Sequence, residues 1–317
     1  ALDDWIYIPY EKGDYAVAEA QAREGLATAR RVAPESALVA SYLYLLGTVL
    51  QAERGTGPGS AETESILREA LALREKVLGP EHSGTGDALF ALACTLRDGG
   101  PEKKTEAEAL FHKCIDILRR TKGPDHPNIA MTLDNLARLA SDRDDRVEAE
   151  KLLREAIELQ RRRLGNEHPD LATTLCTLGN LDRKMGKWDE AEALLGEAVA
   201  IYRKTLGDDH PDLAIAIENL AVVKRDRRDF AGAEPLLNDA CAILRKRREP
   251  DHPDYLTTID MLAQVRRALG NLAGAEQLYR ELGAARRRSN PAESTEVVSS
   301  SDALASVPTE RSYAEKT

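Results

Sequence analysis

Histidine follows an acid five times in this 317-residue chain: Glu81-His82, Asp125-His126, Glu167-His168, Asp209-His210 and Asp251-His252. Imidazole and carboxylate are the groups of metal centres and of general acid–base catalysis, so these places are the first candidates for chemistry. Four of them continue as Pro127-Asn128, Pro169-Asp170, Pro211-Asp212 and Pro253-Asp254, and Glu81-His82-Ser83 is a degraded copy. Spacing decides against a metal. Ligands must lie ~2 Å from a single ion, whereas copies on successive helix pairs are displaced by about a helix diameter, ~10 Å. The remaining histidine, His112, falls within a helical pattern and is expected at the surface. Cysteines at 94, 114, 176 and 241 show no CxxC spacing, which removes the zinc and thioredoxin readings. No Gly-x-Ser-x-Gly, phosphate-binding loop or His-Glu-x-x-His is present. Paired acids such as Glu190 and Glu192 read as exposed helix starts. The chain is expected to be no enzyme, with no cofactor and no metal.

Composition narrows the class. Apolar residues make up 42% but aromatics only 4%, so Leu and Ala carry the burial; with 31% charged residues this points to long helices. A formal net charge of −10 and a pI near 5.3 argue against nucleic-acid or anionic-membrane partners, either of which wants a basic face. No apolar run reaches the roughly 18 residues that a membrane helix needs. Free thiols point to a reducing, cytoplasmic setting. The chain starts at Ala1 rather than Met, which leaves a processed product, a fragment or a removed export signal as alternatives.

The elements that position these residues repeat. Leu followed by a small residue recurs at Leu46-Gly47, Leu92-Ala93, Leu136-Ala137, Leu178-Gly179, Leu220-Ala221 and Leu262-Ala263. The last three intervals are 42 residues each; the earlier 46 and 44 have their excess in loops, at Arg54 to Ser60 and Asp98 to Lys103. The acid-His-Pro marker recurs in phase. Gly79, Gly123, Gly165 and Gly207 stand just after helix ends, where φ > 0 is wanted, and Pro then sits at N1 of the next helix. The best copy predicts a helix A over 169–185 and a helix B over 188–205. Small residues at Gly179, Ala191 and Ala198 let the two approach closely, and Cys114 falls on such a small position of its own unit. Basic runs at Arg119-Arg120, Arg161 to Arg163, Arg245 to Arg248 and Arg286 to Arg288 all close B helices, where they suit the negative end of the dipole and solvent.

Leu at place 7 with small residues at places 8, 20 and 27 resembles the tetratricopeptide repeat, and the 42-residue unit with Leu-Gly-x-x-His-Pro-Asp between repeats is similar to the kinesin light chain subclass. The resemblance covers about residues 13 to 288. It implies an all-α fold, a right-handed α-solenoid of antiparallel helix pairs, in which units stabilise one another through their neighbours. The expected organisation is an irregular N-terminal cap over 1–12, an array over 13–288 of one B-type helix plus six pairs, and a disordered Ser/Glu/Thr-rich tail over 289–317.

The resemblance further implies that A helices line a concave groove binding a peptide or protein segment. Around the Leu, inward places are then Asp134, Asn135 and Arg138; Cys176, Asn180 and Arg183; Glu218, Asn219 and Arg225; and Asp260, Gln264 and Arg267. Asn matches a backbone amide with a donor and an acceptor, and Arg offers a fork to carboxylates. The acids at 134, 218 and 260 would favour a basic side chain or pair with the Arg seven residues on. The expected function is a protein–protein interaction scaffold. The alternatives are a structural scaffold that forms a homo-oligomer through array ends, where Trp5 to Tyr10 offers a sticky segment, and a regulatory domain of a larger signalling protein. The tail, with Val297, Val298, Leu304 and Val307, is a candidate to lie in the groove and block it.

Overall fold

The computed structural model describes residues 14–54, 60–248 and 251–289. The cap over 1–12, the segment Trp5 to Tyr10, the 54–60 insertion apart from its end residues, and the tail beyond 289 lie outside them. The described residues form thirteen helices and no strand: α1 (Tyr15–Val32), α2 (Ala37–Arg54), α3 (Ser60–Leu78), α4 (Ser83–Arg97), α5 (Pro101–Thr121), α6 (Pro127–Asp142), α7 (Arg146–Leu164), α8 (Pro169–Lys184), α9 (Trp188–Leu206), α10 (Pro211–Asp226), α11 (Phe230–Arg247), α12 (Pro253–Ala268) and α13 (Leu272–Ser289). The chain divides into two compact units, Ala1–Arg163 and Leu164–Thr317. Consecutive helices pack side by side from α1 through α6 in the first and from α8 through α13 in the second, and successive A helices also touch: α2 with α4, α4 with α6, and α8 with α10.

The histidines start the A helices. The Nδ1 atoms of His82, His126, His168, His210 and His252 accept the backbone N–H two residues on, at 3.0 to 3.3 Å. Pro follows at the start of α6, α8, α10 and α12, where no amide hydrogen is needed. The preceding glycines hold φ between 83° and 96°. Gly207 combines φ 83° with ψ 170°, a region that is essentially glycine's alone, rather than the left-handed helical one.

Pairs close antiparallel. The Tyr202 hydroxyl in the last turn of α9 meets Thr173 in the first turn of α8 at 2.7 Å, and Tyr255 of α12 donates to Glu281 of α13 at 2.8 Å. Close approach requires Gly179: a Cβ there would lie 2.7 Å from Leu195 Cγ and 3.4 Å from the Ala191 carbonyl oxygen. Ala191, Leu195 and Ala198 are fully buried, and Cys114 is 1% exposed.

Basic residues that close B helices find acids at the start of the same helix pair. Within the first unit Glu35 pairs with Lys76, Glu81 with Arg120 and Asp125 with Arg162, at 2.5 to 2.9 Å. Within the second, Glu167 pairs with Lys204, Asp209 with Lys246 and Asp251 with Arg288, over the same range. Each acid that opens a His-Pro marker is thus tied to the last turns of the next B helix. Exposed pairs of this kind contribute ~0.2–1 kcal/mol each, so they set register more than they supply stability.

Candidate functional site

The candidate site lies on the faces that successive A helices turn toward each other. Residues three, four and seven apart share a helix face, so the partners seen at one rung fix which neighbours share it.

In the first unit this face is closed. Asn135 of α6 is 7% exposed; its Oδ1 accepts from Arg97 Nη1 of α4, and its Nδ2 donates to the Met131 carbonyl at 2.8 Å. Arg97 also grips both oxygens of Asp98, at 3.0 and 2.9 Å. Asp134 accepts from Arg138 at 2.9 Å, one turn on, while its Oδ1 is buried without a partner. One step back, Gln51 of α2 donates to Thr95 Oγ1 at 3.2 Å and to the Ala91 carbonyl at 3.4 Å.

In the second unit the face is partly open. Arg183 of α8 donates to Asp226 of α10 at 2.6 Å, and Arg225 holds the other oxygen of the same carboxylate at 3.2 and 3.0 Å. Asn219 lies seven residues before Asp226, on the same face of α10; Asn180 lies three before Arg183, on the same face of α8. Both amides are half-buried, and neither has a hydrogen-bonding partner among the described residues. Cys176 continues the row on α8. Burial pushes its thiol up to about 12, so it is a neutral, unreactive wall, and the nearby Asp212 carboxylate acts in the same direction.

Glu218 faces the other way, toward α12, and accepts from the Thr258 hydroxyl at 2.6 Å. Burial holds its carboxyl above the usual glutamate range, against the effect of the Thr258 bond, and Asp254 adds to the rise. Asp260 accepts from Gln264 at 2.8 Å. Arg267 is exposed. Asp260 thus pairs four residues on rather than with Arg267 seven on, because one helical turn brings side chains into reach where two turns do not, and Asp134, which has Ser141 seven on, pairs with Arg138.

The structure thus joins Arg183 to Asp226, sets Asn180 and Asn219 on the facing sides of α8 and α10, and occupies Asn135 internally. Sequence reasoning missed the residues that tie A helices together: Gln51, Thr95, Asp226 and Thr258. A signal existed for one of them, since Asp recurs six places after the Leu at 98, 142 and 226. Among the described residues no three His, Cys, Asp or Glu stand close enough to hold a metal, and no helix is long and apolar enough to cross a membrane.

Two family models, both described as tetratricopeptide repeat, match the chain, one over residues 102–162, 142–204 and 170–246 and the other over 61–83. No curated protein matches. Among solved structures, kinesin light chain nearly identical TPR-like repeats from Podosopora anserina share 26% identity with a TM-score of 0.57, over 66% of this chain and 99% of that one. RapI in its apo form is 19% identical with a TM-score of 0.63, over 89% of this chain and 95% of that one. A Rap protein complexed with Competence and Sporulation Factor is 15% identical with a TM-score of 0.59, over 89% and 73%. The two Rap likenesses carry the fold alone.

Proposed function

The chain belongs to the tetratricopeptide repeat family, and from that premise we propose that it is a protein–protein interaction scaffold that holds an extended peptide segment along the α8–α10 face of its second unit. One observation carries the finer reading: Asn180 and Asn219 place two half-buried primary amides without protein partners on facing helices. Each offers a donor and an acceptor, the complement of a peptide unit, and a half-buried amide left unpaired is a group that a ligand backbone satisfies. The Arg183–Asp226 pair bounds the row at one end and the Cys176 wall at the other. A Rap protein that shares the fold was crystallised with Competence and Sporulation Factor, so a repeat array of this fold can receive a ligand.

The test is selection of binders from a random peptide library on the full chain, followed by affinity measurement against Asn180→Ala/Asn219→Ala and, separately, Asn135→Ala. The double variant is expected to weaken binding about tenfold, equivalent to ~1.4 kcal/mol, while retaining its circular dichroism. Unchanged affinity in the double variant moves recognition away from this face and leaves the scaffold reading without its peptide groove.

A further inference from the structure

The B helix α1 differs from every later B helix: no A helix precedes it among the described residues. Its far side bears an apolar groove of about 380 Å³, lined by Gly25, Ala29 and Val32 of α1 and Leu38 and Tyr42 of α2, with Glu24 and Thr28 on the rim. Tyr42 forms the floor; its ring lies so close to α1 that a Cβ on Gly25 would sit 2.3 Å from Cε1. Of the eight large apolar side chains exposed among the described residues, Val17, Val32 and Leu38 are at this end, and Val32 is 81% exposed. An unpartnered apolar face at the end of a repeat stack has to be covered if the molecule is to stay in solution.

We propose that this groove receives the chain's own segment Trp5-Ile6-Tyr7-Ile8-Pro9-Tyr10, which closes the first unit in place of an A helix. The occupant follows from reach and chemistry. The groove starts ten residues into α1, ~15–21 Å along the helix from its first turn. Tyr10 and Trp5 stand four and nine residues before Asp14, so an extended chain brings them ~13 and ~30 Å from it, on either side of that distance. Five of the six side chains are aromatic or Ile, matching an apolar floor, and Pro9 disfavours a regular helix in the residue before it. The proposal concerns α1 and α2 of the first unit rather than the helices that carry Asn180 and Asn219, and its readout needs no ligand, so it fails or stands independently of the peptide reading.

The difference in fluorescence between the full chain and Trp5→Ala isolates the indole at position 5 from that at Trp188. It is expected to emit to the blue and to resist acrylamide. Val32→Glu and Thr28→Arg, both at exposed positions, should each raise its quenching constant roughly threefold, as for an indole leaving an apolar pocket for water. Val147→Glu, 75% exposed on α7, should not change it. An indole already open to quencher in the unmodified chain overturns the proposal. So does one that is protected but indifferent to both groove variants, or one protected only at concentrations where light scattering reports a doubled mass, which would make a second copy the occupant.

Discussion

Asn135 and Asn219 hold the same place in the repeat, one residue before the marker Leu, yet one is consumed inside the protein and the other is open. The difference begins elsewhere, at the start of the preceding B helix. In the first unit Lys104 of α5 takes the Asp142 carboxylate, which leaves Arg97 to close on Asn135. Three residues before the first small residue of the B helix, where α5 has Lys104, α9 has Trp188, which packs with Ala191, Leu195 and Val223. No cation of the B helix then competes for Asp226, Arg183 shares it with Arg225, and Asn219 is left without a partner. Repeat register tells where a side chain stands; the partners chosen by its neighbours decide whether it is available.

The swap that explains the contrast should break it with the largest effect. Trp188→Lys removes the aromatic from its cluster and is expected to cost about 2–4 kcal/mol of unfolding free energy, read by urea denaturation. A loss under about 1 kcal/mol would mean that Trp188 is not what holds the α8–α9–α10 packing. Next in size, Asn135→Ala leaves the Arg97 guanidinium short of an acceptor and should cost ~1–2 kcal/mol, whereas Asn219→Ala should stay within ~0.5 kcal/mol. Equal costs would erase the distinction between a closed and an open amide.

Acid separates Glu218 of the second unit from Glu64 and Glu106 of the first by sign. Glu218 has a folded pKa above its unfolded value, so its neutral form favours the fold. Stability is fully present below the unfolded glutamate pKa and is lost as pH rises through the raised folded value. Glu64 and Glu106 are the reverse: hydrogen bonds from Lys103 and Arg68, respectively, hold them below the usual range, so their contribution is present above the unfolded pKa and fades as pH falls. Glu218→Gln is expected to flatten the fall of stability above the unfolded glutamate pKa and to raise stability at neutral pH. Denaturation curves across pH check this, and an unaltered slope would discard burial as the cause. The smallest effect belongs to the outer ladder: Lys204→Ala should cost about 0.5 kcal/mol or less, and added salt should shrink it further.

Much of this architecture was readable before any coordinates. The expected helices over 169–185 and 188–205 are Pro169–Lys184 and Trp188–Leu206, and Pro opens α6, α8, α10 and α12 as its place after the marker implied. These features are local: a cap, a glycine and a small residue act within a turn or two of themselves. What stayed illegible depends on contacts between helices. Arg97 reaches Asn135 across 38 residues and Thr258 reaches Glu218 across 40. Competition among several cations for one carboxylate, as at Asp142 and Asp226, is settled by geometry that no single repeat contains.

The ion-pair ladder has a consequence for how such a chain changes length. Each helix pair carries one acid ahead of its marker and one base at the close of its B helix, and the two are matched to each other across the pair. Cutting out residues 168–209 would join Glu167 directly to His210 and bring Lys246 to the place that Lys204 fills now. Every clasp would still close. A gene encoding such a protein can gain or lose copies by unequal recombination without inventing a contact, so copy number is a quantity that heredity can adjust separately from the details of any single repeat.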